Sequence, residues 1–175
     1  MGGELDFDSL VTRYYEPLFQ FAYSLSRDEA DACDLTQQTF FIWATKGSQL
    51  RDPAKVKTWL FTTLHRLFLS ARRRTVNFPH SDLDAANAEL PESPPPQFSN
   101  LDGEQVLAAL ARVDEVFQAP VALFYLEDCS YKEIGEILGV PMGTVKSRIA
   151  RGLGQLQRLL ADDGMNANRK GGSKP

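Results

Sequence analysis

The chain has 175 residues, of which 43% are hydrophobic, and this length and composition can bury two small cores. No apolar run approaches the roughly 20 residues that cross a bilayer. Residues 1–6 lack the basic start and apolar stretch of a secretion signal, so we expect a cytoplasmic protein with no membrane insertion. The two cysteines and two histidines share no zinc-site spacing, and neither a metal nor a cofactor is predicted.

The charge is unevenly distributed along the chain. A net charge of −4 disfavours a nucleic-acid binder at first sight. However, residues 53–81 contain cations and no Asp or Glu, residues 82–136 carry twelve acids, and residues 137–161 are again cationic and free of acid. Two basic segments separated by an acidic one predict two nucleic-acid contacts on one protein. The alternative is that these charges only solvate exposed helix faces.

The first two predicted elements are amphipathic helices. Apolar residues at three- and four-residue steps predict a helix over residues 7–26, bent or restarted at Pro17. Ser26, which acidic residues follow, predicts the N-terminal cap of a second helix that runs towards Ala44. Gly47 then marks a loop, because glycine commonly interrupts regular structure.

A third helix is predicted from about residue 54 to residue 74. Its last turn carries three arginines, which interact favourably with the C-terminal end of the helix dipole. Residues 76–100 break the helical pattern with five prolines among Ser, Asn and acids, a composition typical of a flexible linker. Helical periodicity resumes at Leu101, and a further helix is predicted over residues 119–126.

The predicted fold class is all-α, since no segment favours a strand over a helix. Two small helical domains, residues 5–75 and 101–161, are joined by the flexible, Pro-rich, acidic linker over residues 76–100. Residues 162–175 are predicted to form a disordered tail.

The C-terminal domain contains a predicted helix-turn-helix. Ser130 and Glu133 have the spacing of a capping box, so a helix begins there. Gly139 supplies a tight turn, and Pro141 permits a second helix to begin near Met142. Helix, glycine turn and helix at this spacing are typical of a DNA-binding helix-turn-helix.

The second helix of this motif divides into two faces. At about 100° per residue, Val145 and Ile149 face the core, while Ser147 and Arg151 point the opposite way. A helix that presents small polar and basic residues can enter the major groove of DNA. The alternative is a solvated helical hairpin. Gly154 and Arg158 continue the exposed face, and the candidate DNA contacts on this face or its edges are Thr144, Lys146, Ser147, Arg148, Ala150 and Arg151.

The segment from Tyr131 to Arg148 closely resembles the minus-35-reading domain of extracytoplasmic-function (ECF) sigma factors of the sigma-70 family. Residues 113–130 fit that domain as well. The resemblance implies that Lys146, Ser147, Ala150 and Arg151 read promoter bases. Thr144 and Arg148 would hold phosphates.

The N-terminal domain carries a second resemblance to this family. The run Asp34-Leu-Thr-Gln-Gln-Thr-Phe40 is similar to the polymerase-binding helix, which in the family contacts the clamp helices of the β′ subunit of core RNA polymerase. By this resemblance Asp34, Gln37 and Gln38 are the polar contacts, and Leu35 and Phe40 belong to the core.

The third helix resembles the promoter-melting segment of the family, because Trp59-Leu60 is followed by further helical turns that end in arginines. Cations can follow the phosphates while unstacked bases enter apolar pockets. Trp59 is expected in the core, and the loop over residues 47–56 would hold the flipped minus-10 base. The phosphate candidates are Lys55, Lys57, Arg66, Arg72, Arg73 and Arg74.

Three positions depart from the family pattern. Arg66 and Ser70 replace a common Asn and Asp, and Leu50 stands where an aromatic residue often begins the minus-10 loop. The minus-10 sequence preference therefore does not follow from the resemblance.

The resemblance implies a non-enzymatic factor whose partners are core RNA polymerase, promoter DNA and an anti-sigma factor. One alternative is an autonomous helix-turn-helix regulator, which would bind DNA tightly without polymerase. A second is an enzyme that uses Glu133 with Glu136, or His65, as acid–base groups. The sequence disfavours an enzyme because no nucleophile, phosphate loop or metal cluster accompanies these residues.

Overall fold

The protein forms seven α-helices in a computed structural model that describes residues 6–75 and 103–170. No strand occurs in these two ranges, in agreement with the predicted all-α class. The bounds are α1 Phe7–Ser26, α2 Glu29–Lys46, α3 Val56–Thr75, α4 Gly103–Leu110, α5 Glu115–Tyr125, α6 Tyr131–Leu138 and α7 Met142–Lys170. Two short 3₁₀ turns, Gly47–Gln49 and Pro53–Lys55, connect α2 to α3.

Helices α1, α2 and α3 pack around one apolar core. Phe21 of α1 and Phe61 of α3 are fully buried, with ring centroids 5.5 Å apart. Helix α1 is continuous through Pro17, so the predicted possibility of a restart at this residue is wrong. Leu10 and Leu18 lie on either side of the proline and are both fully buried, and their packing holds the two halves of α1 on the same core.

The cap of α2 differs from the prediction. Ser26 is the last residue of α1, and the carboxylate of Asp28 instead accepts a hydrogen bond from the Asp31 amide at 2.9 Å. Arg27 lies between the two helices in the left-handed region, with φ at 60°. Because this residue reverses the chain, the cap of the second helix has to follow it.

Helix α5 begins at Glu115, four residues before its predicted start. Gln118 lies in its first turns and is buried, and its amide donates to the carbonyls of Ala111 and Val113 at 3.1 and 2.8 Å. A buried amide needs such partners. This polar residue thus ties α5 to the turn that follows α4, a role that the pattern of apolar residues does not predict.

The last helix is longer than predicted. Helix α7 runs through residues 162–170, where a disordered tail was expected, so that expectation is not met there. Both carboxylate oxygens of Asp163 accept from the guanidinium of Arg112, at 3.0 and 2.8 Å, and this ion pair anchors the extension to the turn after α4. Residues 171–175 lie outside the described residues, as does the predicted linker over residues 76–100.

The N-terminal and C-terminal halves pack against each other. Helix α1 contacts α4 and α5, and α3 contacts α6. At this junction Arg27 donates to the carbonyl of Val113 at 3.4 Å. The patterns in the sequence predict two domains and a tether, but not this direct contact. In the described ranges, no helix is both long and apolar enough to cross a membrane.

Candidate nucleic-acid and polymerase interface

The helix-turn-helix is formed by α6 and α7, as predicted. The hydroxyl of Ser130 accepts from the Glu133 amide at 3.2 Å, and the Glu133 carboxylate accepts from the Ser130 amide at 2.7 Å. Gly139 ends α6 in the left-handed region, with φ at 67°, and its amide donates to the carbonyl of Gly135. The capping box and the glycine turn therefore fix the angle at which α7 leaves α6.

The buried side of α7 is also as predicted, with Val145 and Ile149 in the core. One residue on this side was missed. A Cβ atom at Gly152 would lie 2.4 Å from Cγ2 of Val121 and 3.0 Å from Cβ of Phe117. Helices α5 and α7 thus approach each other too closely for any side chain at residue 152.

The exposed side of α7 is rotated relative to the prediction. Lys146 and Ala150, which were placed at an edge, are exposed, whereas Ser147 and Arg151 are half-buried. Gln155, one turn after Arg151, exchanges hydrogen bonds of 2.9 and 2.7 Å with Asp114 before α5. This contact joins α7 to the segment before α5.

The other two predicted minus-35 residues lie on the same helix. Thr144 and Arg148 are half-buried on α7. Lys146 lies with its Nζ atom 5.8 Å from the ring centroid of Tyr131, which itself stacks on Phe124 at 5.4 Å. A cation over an aromatic face is attracted to it, so α6 helps to orient the lysine. The first three turns of α7 bring together all six predicted residues, with Lys146 and Ala150 the most accessible.

The six predicted minus-10 cations fall into two groups. Arg66, Arg73 and Arg74 are exposed, and within the described ranges no carboxylate lies at ion-pair distance from them. Lys55, Lys57 and Arg72 instead contact the C-terminal half of the chain. The structure therefore divides a set of residues that the sequence treats alike.

The loop before α3 is held by two tryptophans. The rings of Trp43 and Trp59 meet edge to face with centroids 5.1 Å apart, and Trp59 is half-buried rather than fully in the core. A Cβ atom at Gly47 would lie 2.5 Å from the Trp43 ring, so this glycine lets the chain cross the indole. Leu50 packs partly buried against the core.

The predicted polymerase-binding residues share one exposed face of α2. Asp34, Gln37 and Gln38 are exposed, and the Gln38 amide donates to the Asp34 carboxylate at 2.7 Å. Leu35 and Phe40 are buried, as expected.

Phe41 extends this face and was missed. It is 71% exposed, although the neighbouring Phe40 lies in the core. Adjacent residues of a helix point about 100° apart, so two consecutive phenylalanines cannot both face the same core. Two consecutive phenylalanines in a predicted helix are therefore the signal in the sequence that could have identified Phe41 as exposed.

Two buried ionisable groups lie away from these surfaces. Burial raises the pKa of Glu127, whose Oε1 atom has no hydrogen-bond partner within the described part of the chain, to about 8. Burial likewise lowers the pKa of His65, which packs near the ring of Phe21, to about 4. Glu133 serves in the capping box and Glu136 pairs with Lys55, so both carboxylates suggested as catalytic groups have structural partners.

Comparison with known proteins relates both halves of the chain to one family. The model for Sigma-70 region 2 matches residues 10–77, and that for Sigma-70, region 4 matches residues 103–156. The ECF RNA polymerase sigma factor SigE of Mycolicibacterium smegmatis is 37% identical over 158 residues, which are 88% of this chain and 61% of SigE. The chain thus spans less than two thirds of SigE. EcfG of Rhodopseudomonas palustris is 33% identical over 82% of this chain and 79% of its own length.

Solved structures give the same relationship. The sigma factor RpoE in complex with the anti-sigma factor NepR from Bartonella quintana matches with a TM-score of 0.69 and 31% identity, over 90% of this chain and 98% of RpoE. CnrH in complex with the cytosolic domain of CnrY shares the fold, with a TM-score of 0.63 and 22% identity over 93% of this chain and 92% of CnrH. From its sequence relatives and its fold, this chain belongs to the ECF sigma factors of the sigma-70 family.

Proposed function

We propose that this chain binds core RNA polymerase in the cytoplasm and directs it to promoters for transcription initiation, without being an enzyme itself. The observation that carries the proposal is the pairing of two basic helix faces, one on α3 and one on a helix-turn-helix, in a member of the ECF family. Two separate DNA contacts on one chain suit the recognition of two promoter elements.

The minus-35 element is assigned to the first turns of α7. Lys146, Ser147, Ala150 and Arg151 would contact base edges in the major groove, and Thr144 and Arg148 would hold phosphates. Lys146 and Ala150 support this role most strongly because they are exposed near the N-terminus of the helix, the part of a recognition helix that lies closest to the bases.

The minus-10 element and strand separation are assigned to α3 and the loop before it. Arg66, Arg73 and Arg74 are exposed cations that can follow the phosphates directly. Lys55, Lys57 and Arg72 complete this set once the C-terminal half has moved away. The loop over residues 47–56 would receive the flipped base.

Polymerase binding is assigned to the exposed face of α2. Asp34, Gln37 and Gln38 would contact the clamp helices of the β′ subunit, and we add Phe41, because an exposed aromatic side chain beside polar groups is typical of an interface anchor. An anti-sigma factor is a further proposed partner, since RpoE, which this chain resembles, was solved with one.

The test is run-off transcription with purified bacterial core polymerase on a library of promoter fragments, with and without this protein. We expect transcripts only when the protein is present, starting downstream of shared sequence motifs. If core polymerase neither binds the protein nor initiates, while the protein alone shifts DNA, the autonomous helix-turn-helix regulator replaces this proposal.

A further inference from the structure

One of the proposed base-reading residues is held by an aromatic ring of another helix. The Nζ atom of Lys146 on α7 lies 5.8 Å from the ring centroid of Tyr131, the first residue of α6. Within the described ranges the Lys146 side chain makes no ion pair and no hydrogen bond, so this ring is its partner there. The ring leaves the lysine exposed, and its ammonium group can still donate to DNA.

The ring of Tyr131 is itself fixed from two directions. It stacks on the ring of Phe124 from α5, with centroids 5.4 Å apart and an interplanar angle of 15°. The residue before it, Ser130, forms the capping box with Glu133, so two hydrogen bonds set the backbone at the start of α6. Both rings are half-buried. A pair of rings anchored on α5 and α6 therefore supports Lys146.

The hydroxyl of Tyr131 takes no part in this arrangement. In the part of the chain that the structure describes it has no hydrogen-bond partner, and Tyr131 contacts Phe124 and Lys146 through its ring. The negative face of an aromatic ring attracts a cation. At an exposed site this attraction is worth roughly a two- to fivefold change in an equilibrium constant.

Lysine benefits from such support because its side chain is flexible. The ammonium stands on a four-carbon stem with many rotamers, and immobilising a side chain of this kind at an interface lowers affinity by roughly two- to tenfold. A lysine that a ring already holds beside the recognition surface has lost part of this freedom before DNA arrives. Its ammonium then reaches one position on the DNA instead of several.

We infer that Tyr131 is a positioning residue for minus-35 recognition, whose ring, stacked on Phe124, holds the ammonium of Lys146 at the base pair that this lysine reads. The inference rests on the proposed function, because it takes Lys146 as a base contact. It adds a specificity determinant that lies outside the recognition helix. Tyr131 acts through Lys146, and the contact between them persists in the DNA complex.

Loss of the ring should affect affinity and specificity together. Without it the lysine samples several orientations, so binding of a cognate minus-35 duplex should weaken about two- to fivefold. The preference at the base pair that Lys146 reads should fall by the same factor. Preferences at the other positions of the element should stay unchanged, because different side chains of α7 read them.

The experiment measures binding of a minus-35 duplex to the full chain by fluorescence anisotropy, with each base pair of the element varied in turn. Tyr131→Leu removes the ring, and Tyr131→Phe removes only the hydroxyl. Replacing Tyr131 by pentafluorophenylalanine keeps a ring stacked on Phe124, but fluorine withdraws charge from the ring face, so the attraction for the cation is lost. This variant separates the effect on Lys146 from the packing of the domain.

We expect Tyr131→Phe to bind like the unaltered chain. Tyr131→Leu and the fluorinated variant should lose affinity about two- to fivefold, together with the preference at one base pair. A single-stranded minus-10 fragment should bind all these variants equally, because Tyr131 and Lys146 lie outside α3.

A double-mutant cycle tests the contact directly. Tyr131→Leu should cost nothing further in a chain that already carries Lys146→Ala. Lys132→Ala is the matched control, because it removes an exposed cation next to Tyr131 in the sequence. The effects of Lys132→Ala and Tyr131→Leu should be additive.

Three results would overturn the inference: equal losses in Tyr131→Phe and Tyr131→Leu, which would make the hydroxyl the contact; full affinity in the fluorinated variant; or additive losses for Tyr131→Leu and Lys146→Ala. Run-off transcription by the unaltered chain with core polymerase tests the proposed function separately. A chain that supports transcription but shows no coupling between Tyr131 and Lys146 refutes the positioning role alone.

Discussion

The basic faces of α3 and α7 are alike in charge and differ in their surroundings. Both lie in acid-free segments of the chain. Lys55 and Arg72 on the α3 side are paired with carboxylates from the other half, whereas Lys146 on α7 lies exposed over an aromatic ring of its own domain. A cation-rich helix in the sequence is thus a candidate DNA-binding surface, and tertiary contacts decide whether that surface is available.

The largest effect is expected where the open α7 surface is altered. Lys146→Ala and Arg151→Ala should each lower transcription from a cognate promoter about 10- to 100-fold, because a base contact contributes about 1–3 kcal/mol. Run-off transcription measures this loss. Gln157→Ala, on an exposed position of the same helix beyond the proposed contacts, is the control and should retain activity. Equal losses in all three variants would contradict the assignment.

The next effect concerns the support of α7 by α5. Gly152→Ala places a Cβ atom against Val121 and should lower the free energy of unfolding by about 1–3 kcal/mol, since overpacking forces neighbours to move. Gly154→Ala is the matched control in the same helix, where nothing lies within 4 Å of the added atom. It should raise stability by roughly 0.5–1 kcal/mol through helix propensity.

Urea unfolding followed by circular dichroism separates these two variants. If Gly152→Ala were as stable as Gly154→Ala, the close approach of α5 and α7 would be wrong. In that case the exposed face of α7 would not depend on the packing of α7 against α5.

The stability of the folded chain should depend on pH through Glu127, whose backbone carbonyl accepts from Lys57 where the two halves meet. The pKa of Glu127 is raised to about 8 by burial, against the opposing charge of Lys57 and with help from Asp128 and Glu16. The folded chain therefore keeps a proton that the unfolded chain has lost above its ordinary pKa of 4.5. The contribution of this carboxyl to the free energy of unfolding is fully present below pH 4.5, and it is lost as the pH rises through 8.

Glu127→Gln should remove this loss, which amounts to at most about 1.4 kcal/mol per pH unit. Urea unfolding between pH 7 and 8.5 measures it in a window where His65, with its pKa lowered to about 4, is already neutral. The exposed Glu29→Gln is the control and should keep the slope of the unaltered chain. A slope in Glu127→Gln as steep as in the unaltered chain would refute the burial of this carboxyl.

The smallest effect distinguishes the two groups of α3 cations. In the free protein, Arg73→Ala/Arg74→Ala should weaken binding of the minus-10 fragment a few-fold and reduce the slope of log affinity against log salt by up to about 2. Lys55→Ala/Arg72→Ala should change both quantities less, because those cations are already engaged by carboxylates. Equal effects of the two pairs in an anisotropy titration would contradict the engagement of Lys55 and Arg72 by Glu136 and Glu115.

Much of the fold and of the α7 surface could be predicted, because the signals are local. The capping box joins residues three apart, and the left-handed turn at Gly139 depends only on its neighbours. The start of α2 was misplaced because two candidate caps lie almost side by side. Ser26 and Asp28 are both capping residues by type, and only the left-handed Arg27 between them decides which one is used.

Patterns along the chain predict the all-α class, the helix-turn-helix, the buried side of α7 and the family, since each rests on residues within a few turns of one another. Long-range packing instead sets three features: α7 exposes Lys146 rather than Arg151, Gly152 admits no side chain, and Lys55 is held by Glu136, 81 residues away. Such contacts join surfaces from distant parts of the chain. Helical periodicity states which residues share a face, but the packing of whole helices determines what covers that face.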